Sequence, residues 1–266
     1  MRRMLKDITI GQHYPTGSII HQLDPRTKIL ITFALILGLF IINQFVGYIF
    51  IIAFIALSIA LSKIPFTYML KGLKPLYILI GITFAINVFM TGGESLVKIG
   101  PLNATREGLY QAVFMAMRLI LLVIGTSLLT LSTSPIMLTD GIEHLLNPFK
   151  KIGVPAHELA MMMTIALRFI PTLLEETDKI MKAQIARGAD FESGNIIKRA
   201  KSLVPLLVPL FISAFRRADE LAMAMEARCY RGGDNRTRMK ELNMKTPDYI
   251  SMGITAILLG ILIYIR

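Results

Sequence analysis

Five stretches of this chain, residues 29–42, 46–61, 75–91, 109–131 and 249–265, are apolar almost without interruption and contain no Asp or Glu. A helix that packs on a water-soluble core shows one apolar stripe, whereas these runs are apolar on every side, which is the pattern of a segment that sits in lipid. Lipid offers the backbone no hydrogen bonds, so such segments must be helices. The hydrophobic share of 54% and mean hydropathy of +0.59 lie above the range of a soluble domain. A span takes about 20 residues, or about 17 at the short end. The first two runs are short and share the turn Asn43-Gln44-Phe45. They read as two spans or, as a weaker alternative, a re-entrant hairpin.

The basic residues orient these spans. Five Lys or Arg lie in the first 28 residues, Lys63, Lys71 and Lys74 lie in the 62–74 loop, and seventeen lie between 132 and 248. The 43–45 turn holds none, and the 92–108 loop holds Lys98 and Arg106 beside Glu94 and Glu107. The positive-inside rule therefore places the N-terminus, the 62–74 loop and the 132–248 segment in the cytoplasm, and Arg266 outside. The expected organisation is residues 1–131 as an N-terminal cytoplasmic segment with four spans, 132–247 as a cytoplasmic domain of long helices, and 248–266 as a fifth span. The expected class is an all-α membrane protein. The net charge of +11 belongs to basic loops at a membrane surface, and no module for nucleic acid interleaves basic with aromatic residues.

Two further apolar stretches, 159–174 and 203–215, are short for spans and carry Arg168 and Pro171, and Pro205 and Pro209. Crossing the bilayer as a hairpin would leave six positive charges of the 175–202 loop outside, so both read as buried or interfacial parts of the cytoplasmic domain. That domain reads as three helices: one near 136–150, one with Pro155 at its first position and its end near Arg187, and one from about 196 to 230 kinked at Pro205 and Pro209.

Within it one motif is duplicated. Asp178 to Gly188 and Asp219 to Cys229 carry Asp, a branched apolar residue, Ala and Ala-Arg at matching offsets, and each ends near glycine. Taken singly, Arg187 or Arg228 reads as a cation compensating a helix C-terminus. As a pair, Ala186-Arg187-Gly188 and Ala227-Arg228-Cys229 read as two helix tips whose guanidinium forks are left uncovered by small neighbours. Such a fork suits a carboxylate or backbone carbonyls in a partner's cleft, and two tips suit a dimeric partner.

Other features are less specific. Asp24-Pro25-Arg26-Thr27-Lys28 reads as an N-cap, a proline at the first helical position and two cations at the cytoplasmic boundary. Arg118, inside the fourth run, either snorkels outward or meets Asn87. Met161, Met162, Met163 and Met223 read as core filling or as an adaptable surface for several partners. No phosphate-binding G-x-x-x-x-G-K-[ST] loop is present, so no nucleotide is expected on this chain. His13, His21, His144 and His157 have no metal spacing, Cys229 is the single cysteine, and no nucleophile faces a base. The chain reads as a non-enzyme without a cofactor of its own.

The opening Gly11-Gln12-His13-Tyr14-Pro15-Thr16-Gly17-Ser18, His21 and Leu23-Asp24-Pro25-Arg26-Thr27-Lys28, with the two Ala-Arg motifs, resembles the transmembrane T component of energy-coupling factor transporters, the CbiQ/EcfT-like family. Cys229 departs from the Gly or other small residue usual there. The resemblance implies a multi-pass protein of a bacterial or archaeal cell membrane. It implies two ABC-type ATPase partners that bind the ATP and a separate substrate-binding S component for a vitamin or metal. It implies that residues 186–188 and 227–229 dock the ATPases and that the coupling helices cradle the S component, which Met161, Met162, Met163 and Met223 contact if they form the adaptable surface. A conventional ABC importer permease is the second reading, and a membrane-anchored scaffold without transport the third.

Overall fold

The computed structural model describes residues 13–93, 95–99, 102–191, 195, 197, 201–233 and 241–266. Gly11 and Gln12 of the opening motif and the 196 start of the third cytoplasmic helix lie outside them. The chain forms two compact units, one of residues 11–141 and 241–266, the other holding 142–240.

The first unit is a helix bundle. A single turn α1 (Ile19–Gln22) precedes α2 (Pro25–Ile41), α3 (Phe45–Ser62), α4 (Phe66–Leu73), α5 (Tyr77–Met90), α6 (Arg106–Ser132) and α10 (Thr246–Ile265). A 3₁₀ turn at Lys74–Leu76 joins α4 to α5. The expectation of a helical membrane protein holds. One addition is a short antiparallel hairpin between α5 and α6, β1 (Ser95–Ile99) on β2 (Leu102–Thr105), paired from Ile99 with Leu102 outward. Its strands fall in a loop that the apolar periodicity left unassigned.

Among the described residues five helical stretches are long and apolar enough to cross a membrane: α3, Phe66–Met90, α6, α10 and Ala156–Ala186 of the second unit. The last has the lowest mean hydropathy of the five, 1.2. The first expected span corresponds to α2, whose 17 residues extend about 26 Å, the short end of a bilayer crossing. Apolar side chains such as Phe33, Phe40, Ile49, Leu57, Ile78, Ile257 and Ile263 face outward from these helices. In water such a belt would aggregate; in lipid it costs nothing.

Inside, Leu35, Leu39, Tyr48, Ile51, Ile55, Leu121, Ile124, Leu258 and Leu262 form one core. Helices approach closely where a side chain is missing: a Cβ on Gly125 would meet Leu35 at 2.9 Å, and one on Gly38 would meet Leu262 at 3.1 Å. Arg118 does not meet Asn87. Its Nη2 donates to the carbonyl of Ile42, the residue that ends α2, at 2.9 Å, and its guanidinium lies over Phe40 and Phe114. Asn87 donates instead to Thr83 of its own helix. An intramembrane cation is thus spent on capping a helix C-terminus.

The opening segment binds one end of this bundle together. Tyr14 N–H donates to Leu131 O, Thr16 Oγ1 to Ser62 O, and Asp24 N–H to Asp248 Oδ1. Asp24 accepts from the Arg26 N–H and pairs with its guanidinium, and Pro25 opens α2, as expected. Lys28 is a correction. It is buried rather than pointing to the boundary, and its Nζ donates to the carbonyls of His21 and Ser132. The burial of a charge is tolerable only because those carbonyls receive it and Asp24 and Asp248 lie near.

The second unit contains the end of α7 (Pro135–Leu146), a 3₁₀ turn at Asn147–Ile152, α8 (Ala156–Ala186) and α9 (Val204–Ala227). Pro155 caps α8 from the position before its first residue, one place earlier than expected. Pro171 and Pro209 stand inside their helices, whereas Pro205 falls in the first turn of α9, where a missing N–H costs nothing.

Candidate docking tips

The partners of α8 run backward along α9. Gln184 Nε2 donates to Pro205 O at 3.4 Å, Glu176 accepts from Ser213 and Arg217, and Met161 Sδ accepts from the Tyr230 hydroxyl. The two helices are therefore antiparallel, and their C-terminal ends lie at opposite ends of the pair. At 1.5 Å per residue the 31 residues of α8 extend about 46 Å, which sets the scale of the separation between the tips.

Arg187 ends α8 and Arg228 ends α9, each as the residue closing its helix. At the first tip the Gly188 N–H donates to Ile185 O at 2.9 Å and the Ala189 N–H to Gln184 O at 2.9 Å. At the second the Cys229 N–H donates to Glu226 O at 2.8 Å and the Tyr230 N–H to Met225 O at 3.0 Å. Both are complete Schellman motifs, the pair of reversed bonds that satisfies the last carbonyls of a helix. The motif demands a left-handed residue after the helix. Gly188 supplies it at φ 87°, and Cys229 at φ 54°. The backbone geometry thus accounts for the glycine after Arg187, before any question of docking arises, but disfavours the cysteine after Arg228.

Ala186, Arg187, Gly188, Ala227, Arg228 and Cys229 are all exposed. Among the described residues neither guanidinium has a hydrogen bond or an ion pair, in contrast to Arg217, which is held on Glu176 at 3.2 Å. Five N–H donors on each tip face solvent in a fork that a carboxylate or carbonyl cluster fits.

The methionines differ in exposure. Met161 takes the Tyr230 hydroxyl at 3.0 Å, Met163 is half-buried, and Met162 and Met223 are exposed by 55% and 61%. Three successive helical positions point about 100° apart, so Met161, Met162 and Met163 cannot share a face. Among the described residues no group of His, Cys, Asp or Glu is arranged to hold a metal.

Sequence reasoning missed the anchors behind the tips. Phe191, four residues past Arg187, is buried with Met181 and Leu206. Tyr230, two past Arg228, places its hydroxyl 3.1 Å from His157 Nε2, while His157 Nδ1 lies 2.9 Å from Glu143 Oε1. Phe191 carried a signal, a lone aromatic soon after a helix end. His157 and Tyr230 carried none, because nothing in a sequence joins positions 73 apart.

The chain has relatives over nearly its full length. A family model described as cobalt transport protein, CbiQ, matches residues 16–239. An energy-coupling factor transporter transmembrane protein of Clostridium kluyveri is 66% identical over 265 residues, 99% of this chain and 98% of that one. Its counterpart in Thermosediminibacter oceani is 65% identical over 256 residues, covering 95% and 97% of the two chains. That of Bacillus subtilis is 46% identical over 264 residues, covering 99% and 100%.

Proposed function

Since the chain belongs to the CbiQ/EcfT family of transporter transmembrane components, we propose that it couples two ATPase subunits to a separate substrate-binding membrane subunit that takes up a vitamin or metal. The Arg187 and Arg228 tips each seat in a groove of one ATPase subunit. ATP is bound and hydrolysed by those partners and never touches this chain. When the ATPase pair closes on ATP, its grooves move together, and the tips carry that motion along α8 and α9. The observation that supports this reading best is the matched pair of helix ends, each with an unpartnered guanidinium, at opposite ends of one antiparallel helix pair.

In this reading the N-terminus and residues 142–240 are cytoplasmic, and α8 and α9 lie against the membrane without crossing it. The exposed Met162 and Met223 are the methionines open to contact the substrate-binding subunit. Met161 is engaged by Tyr230 and serves the tip instead.

Co-expression with an ATPase pair tests the function. The expected complex holds two ATPase subunits per copy of this chain and imports nothing until a separate membrane subunit is added. Import by chain and ATPases alone would establish a conventional permease, and failure to bind ATPases would leave only a scaffold. Topology is tested in a Cys229→Ser background. A cysteine at Asn195 is expected to react only from the cytoplasm and one at Ser95 only from outside. Reaction of position 195 from outside would put α8 and α9 across the membrane and end the coupling reading.

A further inference from the structure

We infer that His157 and Tyr230 are positioning residues that fix the direction of the Arg228 tip, an inference that rests on the docking reading of that tip. The backbone of Tyr230 completes the helix cap through its bond to Met225 O, so this residue is part of the tip itself. Its side chain reaches back to the start of α8. There the hydroxyl lies between His157 Nε2 at 3.1 Å and Met161 Sδ at 3.0 Å. The imidazole is held from its other side by Glu143 of α7, a buried carboxylate, at 2.9 Å. A second pin follows three residues on. A Cβ on Gly233 would stand 2.5 Å from the His157 ring, so only glycine lets the chain pass that close.

One imidazole therefore pins the chain after Arg228 at two points, Tyr230 and Gly233, and ties it through Glu143 to α7. Only Cys229 separates Arg228 from the first pin. A left-handed cysteine is strained and would not hold the turn firmly alone. Hydrogen bonds have direction where apolar contacts do not, and a guanidinium fork meets its acceptors only when correctly aimed. That is why a hydroxyl at position 230 has a task that a phenyl ring of the same size would not perform.

The chain's single cysteine is the reporter, since Cys229 is exposed and adjoins Arg228. A nitroxide on Cys229 of the full chain in nanodiscs is expected to give a restricted spectrum, and a mobile one in the wild type would overturn the inference. Tyr230→Phe should release the label at 229, leave a label at Ala186→Cys (in Cys229→Ser) unchanged, and leave the unfolding temperature in place. ATPase-subunit binding should weaken about five-fold, the worth of one neutral hydrogen bond. His157→Gln, which still offers Glu143 a donor, should loosen position 229 in the same way; if it does not, His157 has no part in the positioning. Loosening at both labels with a lower unfolding temperature would mean a general structural role and would overturn the assignment. The spectra are read without any partner, so they test the latch even if Arg228→Ala shows that the tip does not dock.

Discussion

Arg187 and Arg228 stand on helix ends closed by the same pair of reversed hydrogen bonds, yet what holds each end in place is different in kind. The first tip is closed by glycine and anchored by Phe191 in a small apolar cluster with Met181 and Leu206. The second is closed by a cysteine in a strained conformation and anchored by the polar contacts of Tyr230 with His157 and Met161. An identical local motif thus rests on two unlike supports. The motif determines which groups are presented, and the support determines how firmly. Apolar burial resists in proportion to area and has little direction, whereas the hydrogen-bonded support is weaker and directional.

If the tips are equivalent in docking, removing either guanidinium should cost alike. Arg187→Ala and Arg228→Ala are each expected to weaken ATPase binding by about 1.5–3 kcal/mol, at least tenfold, and the double change to abolish assembly. Lys at either position should rescue poorly, because an ammonium has no bidentate fork. Co-purification and titration with ATPase subunits measure both. A double mutant that still assembles would end the docking reading, and a large inequality between the single mutants would show that the supports already differ in the free chain.

The anchors give the next effect. Phe191→Ala should cost about 3 kcal/mol through loss of a buried ring. It should loosen amides 187–189 in hydrogen exchange while leaving those of 228–230 protected. Equal loosening of both tips would mean that they are not separately supported.

The caps give the smallest effect, with opposite signs. Gly188→Ala should destabilise the first tip by about 1 kcal/mol, since φ 87° disfavours a Cβ. Cys229→Gly should stabilise the second by about 1 kcal/mol by removing the same strain. Thermal unfolding of the two variants checks the signs. Should Cys229→Gly be neutral, the His157 pins already absorb the strain.

Much of this was legible in the sequence, for reasons specific to each part. α3, α6 and α10 follow from apolar runs with no competing pattern, and the helix ends at Arg187 and Arg228 follow from duplicated Ala-Arg context before small residues. The reason for Gly188 was not legible, because a left-handed position is a property of the backbone. The partners of Lys28 and Arg118 were not legible. Lys28 was assigned to the cytoplasmic boundary and Arg118 to snorkelling or a contact with Asn87, and each donates to a carbonyl of another segment, Ser132 for one and Ile42 for the other. Such contacts depend on which helices become neighbours, and apolar periodicity does not say. The β1–β2 hairpin was missed although Gly100-Pro101 lies between its strands, because both strands are short and Ser95–Ile99 breaks the alternation of apolar and polar residues.

The belt around Asp24 has a consequence for how the protein is made. The Asp24 N–H at the start of α2 finds its acceptor in Asp248, 224 residues later, and α10 closes the core against α2 through Leu258 and Leu262. The ribosome therefore delivers an incomplete bundle to the membrane, then all of the unit that bears the tips, and only afterwards the helix that seals it. During that interval the nascent bundle has an open flank beside α2 and an unmet backbone donor at Asp24, so the two arginine tips are complete before the bundle can close.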